Sequence, residues 1–130
     1  MSLSRLTKEL LDLRKKYGKI IVGVDFDGTI FPYTADQQSR NDCDRNRILL
    51  KKLKPHIHLC LYTVADKSSL IYKAYIMKGW GLKPDYINES PIKFPGGSTK
   101  PFFNVLLDDK AGMNEIYGVL QEFLHEIDKL

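Results

Sequence analysis

Cysteine is scarce in this chain, and its placement carries no structural chemistry. The two residues, Cys43 and Cys60, make neither a metal-ligand spacing nor a disulfide framework. A thiolate-bound soft metal and a small secreted scaffold are both excluded. Cys43 falls in a polar loop, and Cys60, inside an apolar run, reads as core filler. Long hydrophobic runs are lacking too: no apolar stretch approaches the roughly 18 residues of a membrane span, and no signal-like hydrophobic core stands near the start. The expectation is a cytoplasmic protein with no membrane partner. Repeats, linkers and low-complexity segments are absent as well, so residues 1–130 are expected to form a single domain with one core. Acidic excess is missing. The net charge of +4 comes from scattered lysines such as Lys15, Lys16, Lys51, Lys52 and Lys54, which read as solvated surface with a weak preference for anionic partners.

What is present is organised around Gly18 to Ile30. Residues 20–24 form a short apolar, β-branched run without polar alternation, the pattern of a strand buried on both faces in a parallel sheet. It ends in acids. Asp25 and Asp27 stand two apart where the strand gives out, and Gly28 permits a tight turn that brings backbone N–H groups near whatever the carboxylates face. Ligand crevices of open α/β sheets lie outside the carboxyl ends of the strands, which is where this pair falls.

Around that strand the chain alternates. Apolar positions at Leu3, Leu6, Leu10, Leu13 and Tyr17 predict an amphipathic helix capped by Gly18. Residues 31–43 are polar without a period and predict a loop or flap beside the site. Asp42 or Asp44 then caps a helix to Leu53 that buries Ile48, Leu49 and Leu53, and Pro55 stops it. A second strand covers Ile57 to Tyr62 with Thr63 at its end, while His56 and His58, at its start, read as structural. Asp66 or Ser68 caps a helix with Leu70, Ile71, Ala74, Tyr75 and Met77 inward, and Trp80 follows as packing. Asp85 to Asn88 is a third strand, Glu89 to Pro101 a loop, and Phe102 to Leu107 a fourth strand ending in Asp108-Asp109. The last helix buries Met113, Ile116, Tyr117, Leu120, Phe123, Leu124 and Ile127. The fold class is therefore α/β: a three-layer Rossmann-like arrangement on a central parallel sheet of about four to five strands, with minimal or no cap.

Strand ends at Asp25 and Asp27, Thr63, Asn88, and Asp108 and Asp109 converge on one sheet edge. Carboxylates gathered there repel one another and shift upward in pKa unless a cation joins them. Hard oxygen ligands without a Cys/His cluster point to Mg²⁺. Asp25-Phe26-Asp27-Gly28-Thr29 after an apolar strand, Thr63 closing a second, Lys100 with Pro101, and Asp108-Asp109 closing a fourth resemble the four motifs of the haloacid dehalogenase-like (HAD) superfamily, over residues 20–112. Within it the chain looks like a small, nearly capless phosphatase.

The resemblance implies a Mg²⁺-dependent phosphomonoester hydrolase working through an aspartyl-phosphate. Asp25 would be the nucleophile and Asp27 the general acid and base. Thr63, with backbone N–H groups at Gly28 and Val64, would hold phosphoryl oxygens, and Lys100 would steady nucleophile and phosphate; Lys93, in the same loop, is the alternative lysine. Mg²⁺ would be bound by Asp25, the carbonyl of Asp27 and Asp109, with Asp108 a further ligand or an orienting group. The substrate would be a phosphorylated small metabolite, nucleotide or nucleic acid end, with Arg40, Arg45, Arg47 and Lys67 on segments that could rim the site. A homo-oligomer could close over it. The rival readings are a catalytically silent module on the same fold and a receiver-like phosphoacceptor domain; the order of acids, threonine and lysine along the chain departs from the receiver pattern.

Overall fold

The computed structural model describes residues 3–32, 36–92 and 101–129. Its first helix, α1 (Arg5–Tyr17), starts where the Ser4 side chain accepts the N–H of Thr7 and stops at Gly18, whose φ of +88° turns the chain. β1 (Ile20–Val24) follows, buried at all five positions. Next come α2 (Gln37–Leu53), a short 3₁₀ turn over Lys54–His56, β2 (Ile57–Leu61), α3 (Lys67–Gly79), β3 (Tyr86–Ile87), β4 (Val105–Leu107) and α4 (Met113–Ile127).

The four strands form one sheet in the order β3-β2-β1-β4, and every pairing is parallel. Helices pack against it, in the Rossmann-like α/β arrangement expected of this alternation. Ile20 pairs with Ile57 and Val22 with Val105, so the strands run in step toward one end. Side chains alternate between faces. On one face Ile20, Val22, Val24, Leu59, Leu61 and Leu107 meet Leu10, Leu50, Leu53, Met77, Leu120 and Phe123 from the four helices. Gly23 points to the other face, where Phe103 lies so close that a Cβ would come within 2.6 Å of its ring.

Several boundaries differ from the expectation. The polar run after Asp36 is helix, not loop: the Asp36 carboxylate accepts the Ser39 N–H at 2.9 Å, and Gln37–Asn41 and Gln38–Asp42 side-chain bonds at 2.8 Å brace the first turns. Cys43 is consequently a buried helix residue. The remainder of the expected flap includes residues 33–35, outside the described residues. Ile48, Ile71 and Tyr75, expected inward, are exposed by 58%, 64% and 75%. β3 and β4 are shorter than expected, and ahead of β4 Phe103 lies against Gly23 on the sheet face instead of extending the ladder. Among the described residues no helix is long and apolar enough to cross a membrane.

Candidate active site

Parallel strands in step bring three chain segments to one end of the sheet. The ladder continues one residue past β1, with Asp25 N–H donating to Leu107 O at 3.0 Å, which sets Asp25 beside Asp108. A tight turn follows. The N–H groups of Ile30 and Phe31 donate to Phe26 O at 3.1 and 3.0 Å, and Gly28 N–H donates to Phe31 O at 2.8 Å. Gly28 has a φ of +82°, and a Cβ there would strike the Asp109 carboxylate. Glycine is required on both counts.

Thr29 ties the two acidic segments together. Its hydroxyl accepts the Asp109 N–H at 2.9 Å and lies 3.4 Å from Asp25 Oδ2. The result is a cluster in which one oxygen from each of Asp25, Asp108 and Asp109 lies within 4.8 Å of the others. Burial, followed by the charges of Asp108 and Asp109, pushes the Asp25 carboxyl up to about 6. Asp109 is also raised, by burial first and then by its hydrogen bond and charge contact with Asp108. Crowded, raised carboxylates offering only hard oxygens are what a small divalent cation would relieve, so the donor set fits Mg²⁺.

Asp27 stands apart from that cluster. Its carboxylate pairs with Lys73 of α3 at 3.0 Å, and Lys73 Nζ also donates to Thr63 Oγ1 at 3.3 Å. The Lys73 side chain is 13% exposed, and its ammonium lies 5.3 Å from the Phe26 ring centroid. Thr63 is fixed from behind by Asn88, whose Oδ1 accepts the Thr63 N–H at 2.9 Å. Together Asp25, Asp27, Thr63, Val64, Asp108, Asp109 and Lys110 line a cavity of about 320 Å³.

Most of the residues expected at the site are thus brought together: Asp25, Asp27, Thr63, Val64, Asp108 and Asp109. Lys100 and Lys93 lie outside the described residues. Gly28 is a correction, because its N–H is engaged within the turn and its contribution is the space it leaves for Asp109. Arg45 and Arg47 are a second correction. Arg47 donates to Ile30 O, pairs with Asp44 and lies 4.7 Å over the Trp80 ring, and Arg45 donates to Asn114 at 2.7 Å, so both hold the scaffold behind the site. Lys73 and Lys110 were not anticipated. For Lys73 a signal existed: it falls on the same helical stripe as Leu70 and Met77, an unusual place for an unpaired lysine.

No family model matches the chain, and no curated protein does. Among solved structures it resembles a conserved protein from Bacteroides thetaiotaomicron, with a TM-score of 0.57 at 22% identity over 80% of this chain and 91% of the other. That likeness supports the fold and nothing finer.

Proposed function

We propose that this chain is a Mg²⁺-dependent phosphomonoester hydrolase of the HAD-like type that works through an aspartyl-phosphate. The observation that carries the reading is the set of three converging carboxylates at the ends of β1 and β4, with Asp27 beside them but held in a separate ion pair.

Asp25 is the nucleophile. Its carboxylate forms the new bond to phosphorus as the ester P–O bond breaks; Asp27, having taken a proton from solvent as the phosphoryl oxygens draw Lys73 from it, gives that proton to the leaving oxygen. Water then attacks the aspartyl-phosphate, Asp27 takes the water's proton, and inorganic phosphate leaves with Asp25 restored. Asp25, Asp108 and Asp109 would hold Mg²⁺, with the Asp27 carbonyl as a further ligand, and the ion's chemistry would be to offset the repulsion between carboxylate and phosphate. Thr63 and Lys73 would meet phosphoryl oxygens, and Lys73 would supply the positive charge that phosphoryl transfer requires. We assign the lysine's role to Lys73, which contacts Asp27 and Thr63, in preference to Lys100 or Lys93, which lie outside the described residues.

The test is hydrolysis of an aryl phosphate with Mg²⁺, wild type beside Asp25→Asn. The variant should lose about 10³-fold or more in turnover, and EDTA should silence the wild type until Mg²⁺ is restored. Equal turnover by the two proteins, or activity that survives chelation, would overturn the reading.

A further inference from the structure

Three consecutive residues of α2 hold the turn after β1 and the start of α4. Arg47 donates to the carbonyl of Ile30, and Arg45 donates at 2.7 Å to Oδ1 of Asn114, in the first turn of α4. Between them Asn46 donates from Nδ2 to the carbonyl of Thr29 at 2.8 Å and approaches Met113 Sδ at 3.3 Å. Asn46 is fully buried. Among the described residues its Oδ1 has no hydrogen-bond partner.

A buried amide with an orphaned acceptor is a poor way to fill space. Leucine, with the same branching though a larger volume, would fill the same position without an unpaired oxygen. What leucine would lack is the donor, and the donor reaches one atom of consequence, the carbonyl of Thr29. The Thr29 hydroxyl in turn meets both Asp109 N–H and Asp25 Oδ2.

We infer that Asn46 is a positioning residue for the cation site: by anchoring the Thr29 carbonyl it fixes the hydroxyl that sets Asp25 against Asp109. This rests on the Mg²⁺ reading of that site. Carboxylates that repel one another separate unless their backbones are held, and a cation with strict geometry is sensitive to small displacements of its ligands. The Met113 contact lets the same amide hold the start of α4, which follows Asp109.

The experiment is calorimetric titration with Mg²⁺ alone, alongside thermal melts, of wild type, Asn46→Leu, Thr29→Val and the double variant. Asn46→Leu should still melt cooperatively, if somewhat lower, but bind Mg²⁺ about 10- to 100-fold more weakly, the range for partners that orient metal ligands. Because Asn46 acts through Thr29, the double variant should bind no more weakly than Thr29→Val. Unchanged affinity in Asn46→Leu, or losses that multiply in the double variant, overturns the inference and leaves the metal reading standing. A wild type that binds no Mg²⁺ overturns both. Should Asn46→Leu not fold, Asn46→Ala, which removes the donor without adding volume or charge, is judged by the same criteria.

Discussion

Helices α2 and α3 begin alike and do different work. Each follows a strand that carries site residues, and each starts at an aspartate whose carboxylate accepts the N–H three residues on, Asp36 from Ser39 and Asp66 from Ser69. There the likeness stops. α2 buries Cys43, Asn46, Leu49, Leu50 and Leu53, whereas α3 buries Met77 alone and leaves Ile71, Tyr72 and Tyr75 largely exposed. α2 holds the backbone of the acid-bearing turn, and α3 reaches the site with one long side chain, Lys73. The difference teaches that geometry and charge ask different things of a scaffold. Fixing carbonyls to within a fraction of an ångström needs a helix seated in the core, while an ammonium on a flexible stem can be delivered from a lightly packed one.

The largest test of that contrast is stability. Leu50→Ala, at a fully buried α2 position, should cost about 2–5 kcal/mol in urea denaturation. Ile71→Ala on α3 should stay within about 0.5 kcal/mol of wild type. Equal losses would break the distinction. Activity should invert the ranking: Lys73→Ala should lower aryl phosphate turnover by about 10²-fold with little change in the urea midpoint. The same loss should not follow from Lys100→Ala or Lys93→Ala. A Lys73→Ala protein with wild-type rates would return the lysine's role to the 93–100 segment.

The contrast also shows what the sequence could and could not reveal. The buried runs at Ile20–Val24 and Ile57–Leu61 are legible because a doubly covered strand has no polar alternation, and acids at strand ends follow from the parallel order they imply. Asp25, Asp27, Thr63, Asp108 and Asp109 were therefore within reach. The start of α2 was not, because Gln37 to Asp42 carries no apolar stripe and its helix depends on the Asp36 cap and on side-chain pairs. Ile71 and Tyr75 misled for the opposite reason: α3 is apolar on most of its circumference, so periodicity could not say which side faces the core. Asn46 was invisible. Its partner is a backbone carbonyl 17 residues away, and no residue pattern encodes such a bond.

The smallest effect measures what α2 holds against, and it needs no substrate. The Asp25 carboxyl is raised from 3.8 to about 6, by burial first and then by Asp108 and Asp109. In the unfolded chain that carboxyl loses its proton near the lower value, and in the folded protein near the higher one. Between them the folded state keeps a proton that the unfolded state has released, so metal-free stability should fall as pH rises from about 4 to about 6 and level off above. Asp25→Asn has no charge to develop there. At pH 7 without metal it should melt higher than wild type, by on the order of 5 °C once the half-exposed setting is discounted, and the gap should close below about pH 4. Added Mg²⁺ favours the ionised acids and should raise the wild-type midpoint more than the variant's. An Asp25→Asn protein that melts at or below wild type at pH 7 would mean that the carboxylates do not strain the fold. The grip of α2 on the Thr29 and Ile30 carbonyls would then be ordinary packing rather than restraint of repelling charges.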